Sequence, residues 1–175
     1  MSKKLIPMAI SYDFDGTLAP GNMQEYDFIP AINMLSKNFW ASVNTLAEKH
    51  EMDQILAYMY AMLEEARKAR VAVRKSDFKN FGANIERFPG VKDWFKRINA
   101  HAKCNGVRLE HFIISSGIRE MVEGTPIYKE FKKVYASGFM FDHNGVACWP
   151  ALAVNYTTKT QYLFRINKGS LDVHD

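Results

Sequence analysis

An open α/β sheet interrupted by a helical insert is the fold that these 175 residues predict. Three observations carry it. An apolar run, Leu5-Ile6-Pro7-Met8-Ala9-Ile10-Ser11-Tyr12, stops at Asp13-Phe14-Asp15-Gly16-Thr17 and reads as a first strand entering a polar turn. A stretch with apolar residues at three- and four-residue steps follows, and from Phe88-Pro89-Gly90 onward helical and strand patterns alternate. That order suits a mostly parallel sheet carrying an insertion after its first strand.

The elements follow in chain order. Residues 18–27, with Pro20, Gly21 and Asn22, read as a linker. Ile32, Leu35, Phe39, Val43 and Leu46 mark one amphipathic helix, and Ile55, Leu56, Met59, Leu63 and Ala66 a second after a break near His50, giving an antiparallel pair. Ser76 is a candidate N-cap for a shorter third helix through Phe78, Phe81 and Ile85. A helix through Val91, Trp94, Phe95 and Ile98, a turn at Asn105-Gly106 and a buried strand over 109–114 come next. Ser115-Ser116-Gly117 ends that strand and a helix begins over 118–123. Two strands, 133–141 and 146–154, flank a turn at His143-Asn144-Gly145. Thr157 or Thr158 caps a last helix through Tyr162, Leu163 and Ile166, which stops near Gly169. The division is therefore a discontinuous core, residues 1–20 and 84–175, and a helical insert, residues 21–83.

Composition narrows the function classes. With 47% apolar and 24% charged residues the chain is that of a soluble globular protein long enough for one core with a small inserted subdomain. A formal charge of +4 and a pI of about 9.0 suit anionic substrates. There is no dense Lys/Arg block, and Arg67-Lys68-Ala69-Arg70 and Arg74-Lys75 read as solvated helix ends, so nucleic acid is not an expected partner. No apolar stretch approaches transmembrane length, and Lys3-Lys4 lead into the first strand rather than a signal peptide. Cys104 and Cys148 lack disulfide or metal spacing, which fits the reducing cytoplasm. His50, His101, His111, His143 and His174 show no metal-ligand spacing and are assigned surface or capping roles. Trp40, Tyr58, Tyr60, Met59 and Met62 are assigned to packing of the insert.

The candidate chemistry begins with Asp13 and Asp15. Side chains two apart on a strand share a face, so both carboxylates converge at one strand end while Phe14 packs inward. Asp13 can attack phosphorus, and Asp15 can protonate the leaving oxygen and later activate water. Two carboxylates repel a phosphate ester, so the pair calls for a hard cation with oxygen ligands, Mg2+. Gly16 and Thr17 offer a sharp turn, N-H groups and a hydroxyl to the anion. An Asp-Gly step is also an ordinary turn, and the catalytic reading needs partners. In an open α/β sheet these come from other strand ends, where ligands bind. Ser115 is the candidate phosphate ligand at a strand end opening a helix, with N-H groups of Ser116 and Gly117 beside it; Ser116 takes that place if the strand phase differs. Lys159, at the start of the last helix, is the candidate cation, with Lys168 as rival.

These motifs resemble those of the haloacid dehalogenase-like (HAD) hydrolase superfamily. Asp13-Phe14-Asp15-Gly16-Thr17 resembles its first motif, Phe112-Ile113-Ile114-Ser115 its second and Lys159 its third. The second aspartate points to the phosphatase branch, and the insert resembles a C1-type cap in a phosphoserine phosphatase-like layout. The resemblance implies a Rossmann-like core with a three-layer, mostly parallel sheet, an aspartyl-phosphate intermediate, and a small phosphorylated metabolite as substrate. It implies Mg2+ held by the Asp13 carboxylate, the Asp15 backbone carbonyl and acids of a fourth motif. No such motif follows Lys159, and Asp172 and Asp175 sit too close behind the helix to replace it. The sheet is thus expected to be incomplete at the C-terminus, with an unpaired strand edge that favours a homo-oligomer. The rival to a phosphomonoester hydrolase is a catalytically impaired or shortened relative that serves as a phosphate-ligand binding or interaction module.

Overall fold

The computed structural model describes residues 5–172; Lys3, Lys4, His174 and Asp175 lie outside them. Four strands, β1 (Ile6–Tyr12), β2 (Val107–Ile118), β3 (Lys133–Phe141) and β4 (Ala147–Leu152), form one sheet in sequence order. β2 lies parallel to both β1 and β3, and β4 returns antiparallel along β3. Between β1 and β2 stand α1 (Phe28–Ala31), α2 (Ser36–His50), α3 (Gln54–Lys68), α4 (Lys75–Ala83) and α5 (Val91–Cys104). α6 (Arg119–Gly124) joins β2 to β3, and α7 (Tyr156–Lys168) follows β4.

Strand alternation makes the layers. On β2, Phe112 and Ile114 belong to a cluster with Tyr135, Val154 and Tyr162 of α7, with Tyr135 and Tyr162 stacked 4.4 Å apart. Ile113, pointing the other way, joins the larger cluster with Phe14, Phe95 of α5 and the helices of the insert. That cluster is continuous from the sheet into α2, α3 and α4, so insert and core share one apolar interior. β1 is an edge of this sheet, with Ile6 and Met8 exposed. The Ile6 N-H donates to Gly106 O on the β2 side at 2.9 Å, which turns Pro7, lacking an N-H, toward the open edge. Among the described residues no helix is long and apolar enough to cross a membrane.

Several boundaries differ from those expected. β2 continues through Ser115, Ser116 and Gly117 to Ile118. The expected linker at 18–27 is not solvent-borne: Leu18, Ala19, Met23 and Gln24 are buried, and Met23–Glu25 form a 3-10 turn. Arg74, not Ser76, precedes the first turn of α4, where its N-H donates to the Asp77 carboxylate at 2.8 Å. Asn155, not Thr157 or Thr158, caps α7: its Oδ1 accepts the Thr158 N-H at 3.0 Å while Thr158 Oγ1 accepts the Asn155 N-H at 2.9 Å, a reciprocal box. Asp142 anchors the hairpin turn by accepting the N-H groups of Asn144 and Val146 at 2.8 and 2.9 Å.

His111 corrects the surface assignment. It is buried, with Nδ1 3.0 Å from the Tyr12 hydroxyl and Nε2 3.0 Å from Asn99 Oδ1, while Trp94 Nε1 donates to the Tyr12 hydroxyl at 2.9 Å. A neutral ring with its hydrogen on Nε2 satisfies both partners, donating to Asn99 Oδ1 and accepting from the Tyr12 hydroxyl at Nδ1. Burial lowers its pKa from the ordinary 6.5. The unfolded chain then binds the extra proton first, so this contribution is complete above 6.5 and is lost as pH falls through 6.5 toward the lower folded value. Thermal melts from about pH 7.5 down to about pH 5 should show the unsubstituted protein losing stability relative to His111→Gln. An unchanged slope in that variant would remove His111 from the account.

Candidate active site

Asp13 is the first residue beyond β1. Its Oδ1 accepts the Phe14 N-H at 2.8 Å, and its Oδ2 receives Lys159 Nζ at 2.5 Å across 146 positions of chain. Lys159 stands on the first turn of α7, aimed by the Asn155 cap, and α7 packs on β1 and β2. The Asp13 side chain remains 42% exposed, so an ester can reach it. Lys168, the rival cation, lies in the last turn of α7, with Nζ 5.5 Å from the centre of the Phe164 ring.

Asp15 lies deeper. Phe14 points into the core, fully buried, and Gly16 takes φ +72°, a left-handed turn that glycine reaches without strain. Asp15 Oδ1 accepts the Met23 N-H at 3.0 Å. Burial is the main force raising its pKa; against the opposing Met23 bond, and with the Asp13 charge adding to the rise, it reaches about 7. Gly117 of β2 comes against this group: a Cβ there would lie 3.0 Å from Asp15 Oδ2 and 2.3 Å from Met23 Cε. The first-strand turn and the end of β2 therefore meet directly.

Ser115 is fully buried at the register shift between β2 and β3, and it does not open a helix. α6 starts at Arg119 and is only six residues long. The hydroxyl is positioned by strand geometry instead, with Oγ accepting the Gly117 N-H at 3.0 Å. Ser116 turns its carbonyl to Tyr58 and Ser137. The expected N-H donors are also engaged: Gly16 N-H bonds Ala19 O at 2.8 Å and Thr17 N-H bonds Phe14 O at 3.2 Å, which leaves the exposed Thr17 hydroxyl. The structure thus gathers Asp13, Asp15, Ser115, Gly117 and Lys159, and it removes the amides of Gly16, Thr17 and Gly117 from the free-donor set. Met23 and Ser137 join the site unannounced, because isolated polar or apolar residues in an insert or strand carry no spacing signal, and Tyr58, assigned to packing of the insert, also reaches the Ser116 carbonyl.

For a metal, the Asp13 carboxylate and the Asp15 backbone carbonyl offer oxygen donors only. Among the described residues no group of three or more His, Cys, Asp or Glu side chains is arranged to hold one, and Asp172 is engaged by Lys133, at the N-terminal end of β3, at 2.9 Å. Such a sparse oxygen set fits Mg2+, which retains water and takes phosphate oxygens alongside one or two carboxylates.

The model of the haloacid dehalogenase-like hydrolases matches residues 10–157, from the first strand to the start of α7. The chain belongs to that family. Its members generally use Mg2+. An uncharacterized protein of Borreliella burgdorferi is 28% identical over 189 aligned positions, covering 94% of this HAD chain and 66% of that protein. A HAD family hydrolase from Salmonella enterica serovar Typhi superposes with a TM-score of 0.67 at 14% identity, over 94% of this chain and 53% of that one. A phosphoserine phosphatase in the form of a phospho-aspartyl intermediate analogue superposes with a TM-score of 0.61 at 15% identity, over 99% and 76%. At these identities the structural likeness concerns the fold, and it establishes the HAD Rossmann-like core with a phosphoserine phosphatase-like layout. The chain spans 66% of the Borreliella protein and 53% of the Salmonella one.

Proposed function

We propose that the chain hydrolyses the phosphomonoester of a small metabolite through an aspartyl-phosphate on Asp13. The observation that carries this reading is the pairing of Asp13 with Lys159 at 2.5 Å beside a half-buried Asp15 whose pKa is about 7. Family membership and the phosphoserine phosphatase likeness support it. Asp13 Oδ attacks phosphorus, an O-P bond forms and the ester P-O bond breaks, and the protonated Asp15 passes its proton to the departing alcohol oxygen. Asp15, now a carboxylate, takes a proton from water as that oxygen attacks phosphorus, which frees Asp13 and inorganic phosphate and restores the acid. A pKa near neutrality lets one carboxyl serve both halves. Lys159 offsets the charge on Asp13 and on the phosphoryl oxygens, and the Ser115 hydroxyl binds one of them. The Asp13 carboxylate and the Asp15 backbone carbonyl would hold Mg2+, whose charge would further neutralise the phosphoryl group. The helical insert, residues 21–83, acts as the cap over this site.

A general phosphate ester, assayed with and without Mg2+, tests the reading. Lys159→Met should lower kcat/KM by about 10²- to 10³-fold, the scale of losing one fixed donor to developing charge. Turnover indifferent to both Mg2+ and Lys159 would sink it. The sparse acid set favours a second reading, a phosphate-binding module. Its mark is phosphate binding without turnover.

A further inference from the structure

We propose that helix α3 of the insert braces the phosphoryl-binding arms, with Tyr58 acting on Ser115 through the Ser116 carbonyl and Asp53 acting on Lys159 through Asn155. The inference rests on the function proposed above for Ser115 and Lys159. Tyr58 is buried in α3, and its hydroxyl donates to Ser116 O at 2.5 Å. Ser137 Oγ donates to the same oxygen at 3.0 Å. Both lone pairs of that carbonyl are then taken, by donors from α3 and β3, which fixes the direction of its peptide unit. Packing does not demand the hydroxyl, because the edge contact of the Tyr58 ring with Trp40, 6.1 Å between centroids, is open to phenylalanine.

The peptide unit is planar, and its C=O and N-H point opposite ways. Two hydroxyls holding the Ser116 carbonyl therefore aim the Gly117 N-H, which donates to Ser115 Oγ at 3.0 Å. An oxygen that accepts this bond keeps its own hydrogen to donate elsewhere, and a phosphoryl oxygen is the acceptor it suits. The second arm is tied to the same helix. Asp53 Oδ1 caps α3 by accepting the N-H groups of Ile55 and Leu56 at 2.9 and 3.1 Å, while its Oδ2 accepts Asn155 Nδ2 at 3.0 Å. Asn155 caps α7, whose first turn carries Lys159. The Val154 N-H, one residue earlier, donates to Ser137 Oγ at 2.9 Å and links the two arms. Tyr58 and Asp53 touch no reacting atom in this scheme and are positioning residues.

Tyr58→Phe removes the hydroxyl alone. Asp53→Asn keeps a capping oxygen for α3 but presents an amide where Asn155 needs an acceptor. Three readouts apply: hydrogen exchange at the Gly117 amide, the Kd of inorganic phosphate, and kcat against KM for a general phosphate ester. Tyr58→Phe should speed Gly117 exchange by about ten-fold, from one lost orienting bond, and weaken phosphate by a similar factor. Combined with Ser115→Ala it should cause no further loss of phosphate affinity or kcat, because it acts through that hydroxyl. Asp53→Asn should leave Gly117 exchange unchanged and still lower kcat, and Tyr60→Phe, on the exposed side of α3, should change nothing. Unchanged Gly117 exchange in Tyr58→Phe, or losses that add fully to those of Ser115→Ala, would overturn the brace. An unsubstituted protein that neither binds phosphate nor hydrolyses esters would defeat the proposed function; Gly117 exchange would then still decide for or against the Tyr58 anchor.

Discussion

Asp13→Asn should lower phosphate-ester hydrolysis by on the order of 10⁴-fold or more, the scale of removing a nucleophile, while the fold persists. The amide has nearly the same shape and can still accept the Phe14 N-H, so local packing survives. What it lacks is the charge and nucleophilicity needed to form the O-P bond. The ion pair with Lys159 is also lost, but both side chains are partly exposed, at 24% and 42%, and such pairs contribute little to stability. Steady-state turnover and a melting curve on the same preparation test this. Hydrolysis within ten-fold of the unsubstituted protein would remove Asp13 as nucleophile.

Gly82→Ala should produce a large loss of stability, matched among the glycines by Gly124→Ala. A Cβ at Gly82 would lie 1.9 Å from the backbone oxygen of Met121, and one at Gly124 would lie 1.9 Å from the backbone oxygen of Lys79. Helices α4 and α6 therefore meet backbone to backbone through reciprocal glycines. No side-chain rotation can relieve such a contact, so the helices must separate, at about 3 kcal/mol or more. For a chain of this size that corresponds to a melting temperature lower by roughly 10 °C. α6 begins directly after Ile118 at the end of β2, so the separation should also disturb Gly117 and Ser115. A melting temperature within 2 °C or so of the original would contradict the close approach.

Local chemistry made much of the fold legible. The continuous apolar run Phe112-Ile113-Ile114 and the four-residue step from Phe39 to Val43 are imposed by burial, on both faces of the strand and on one face of the helix. Asp13, Asp15, Ser115 and Lys159 could be selected because topology alone sends strand ends and a following helix to one edge. Caps and strand ends were less legible, since Asn155 and Thr158 compete for the same amides and only three-dimensional pairing selects between them. His111 resembled a surface residue because the tyrosine and asparagine that satisfy it lie 99 and 12 positions away.

By itself, then, the sequence determined the order of elements and the convergence of Asp13 and Asp15 on one strand end, and it set the expectation of an anionic ligand. Periodicity and residue chemistry act within a few positions and are visible without coordinates. Tertiary structure alone decided that Lys159 meets Asp13, that Asp15 is buried enough to hold a proton near neutrality, and that Tyr58 of the insert grips the carbonyl beside Ser115. Those outcomes depend on desolvation and on hydrogen bonds across 58 to 146 positions of chain, which only packing brings together.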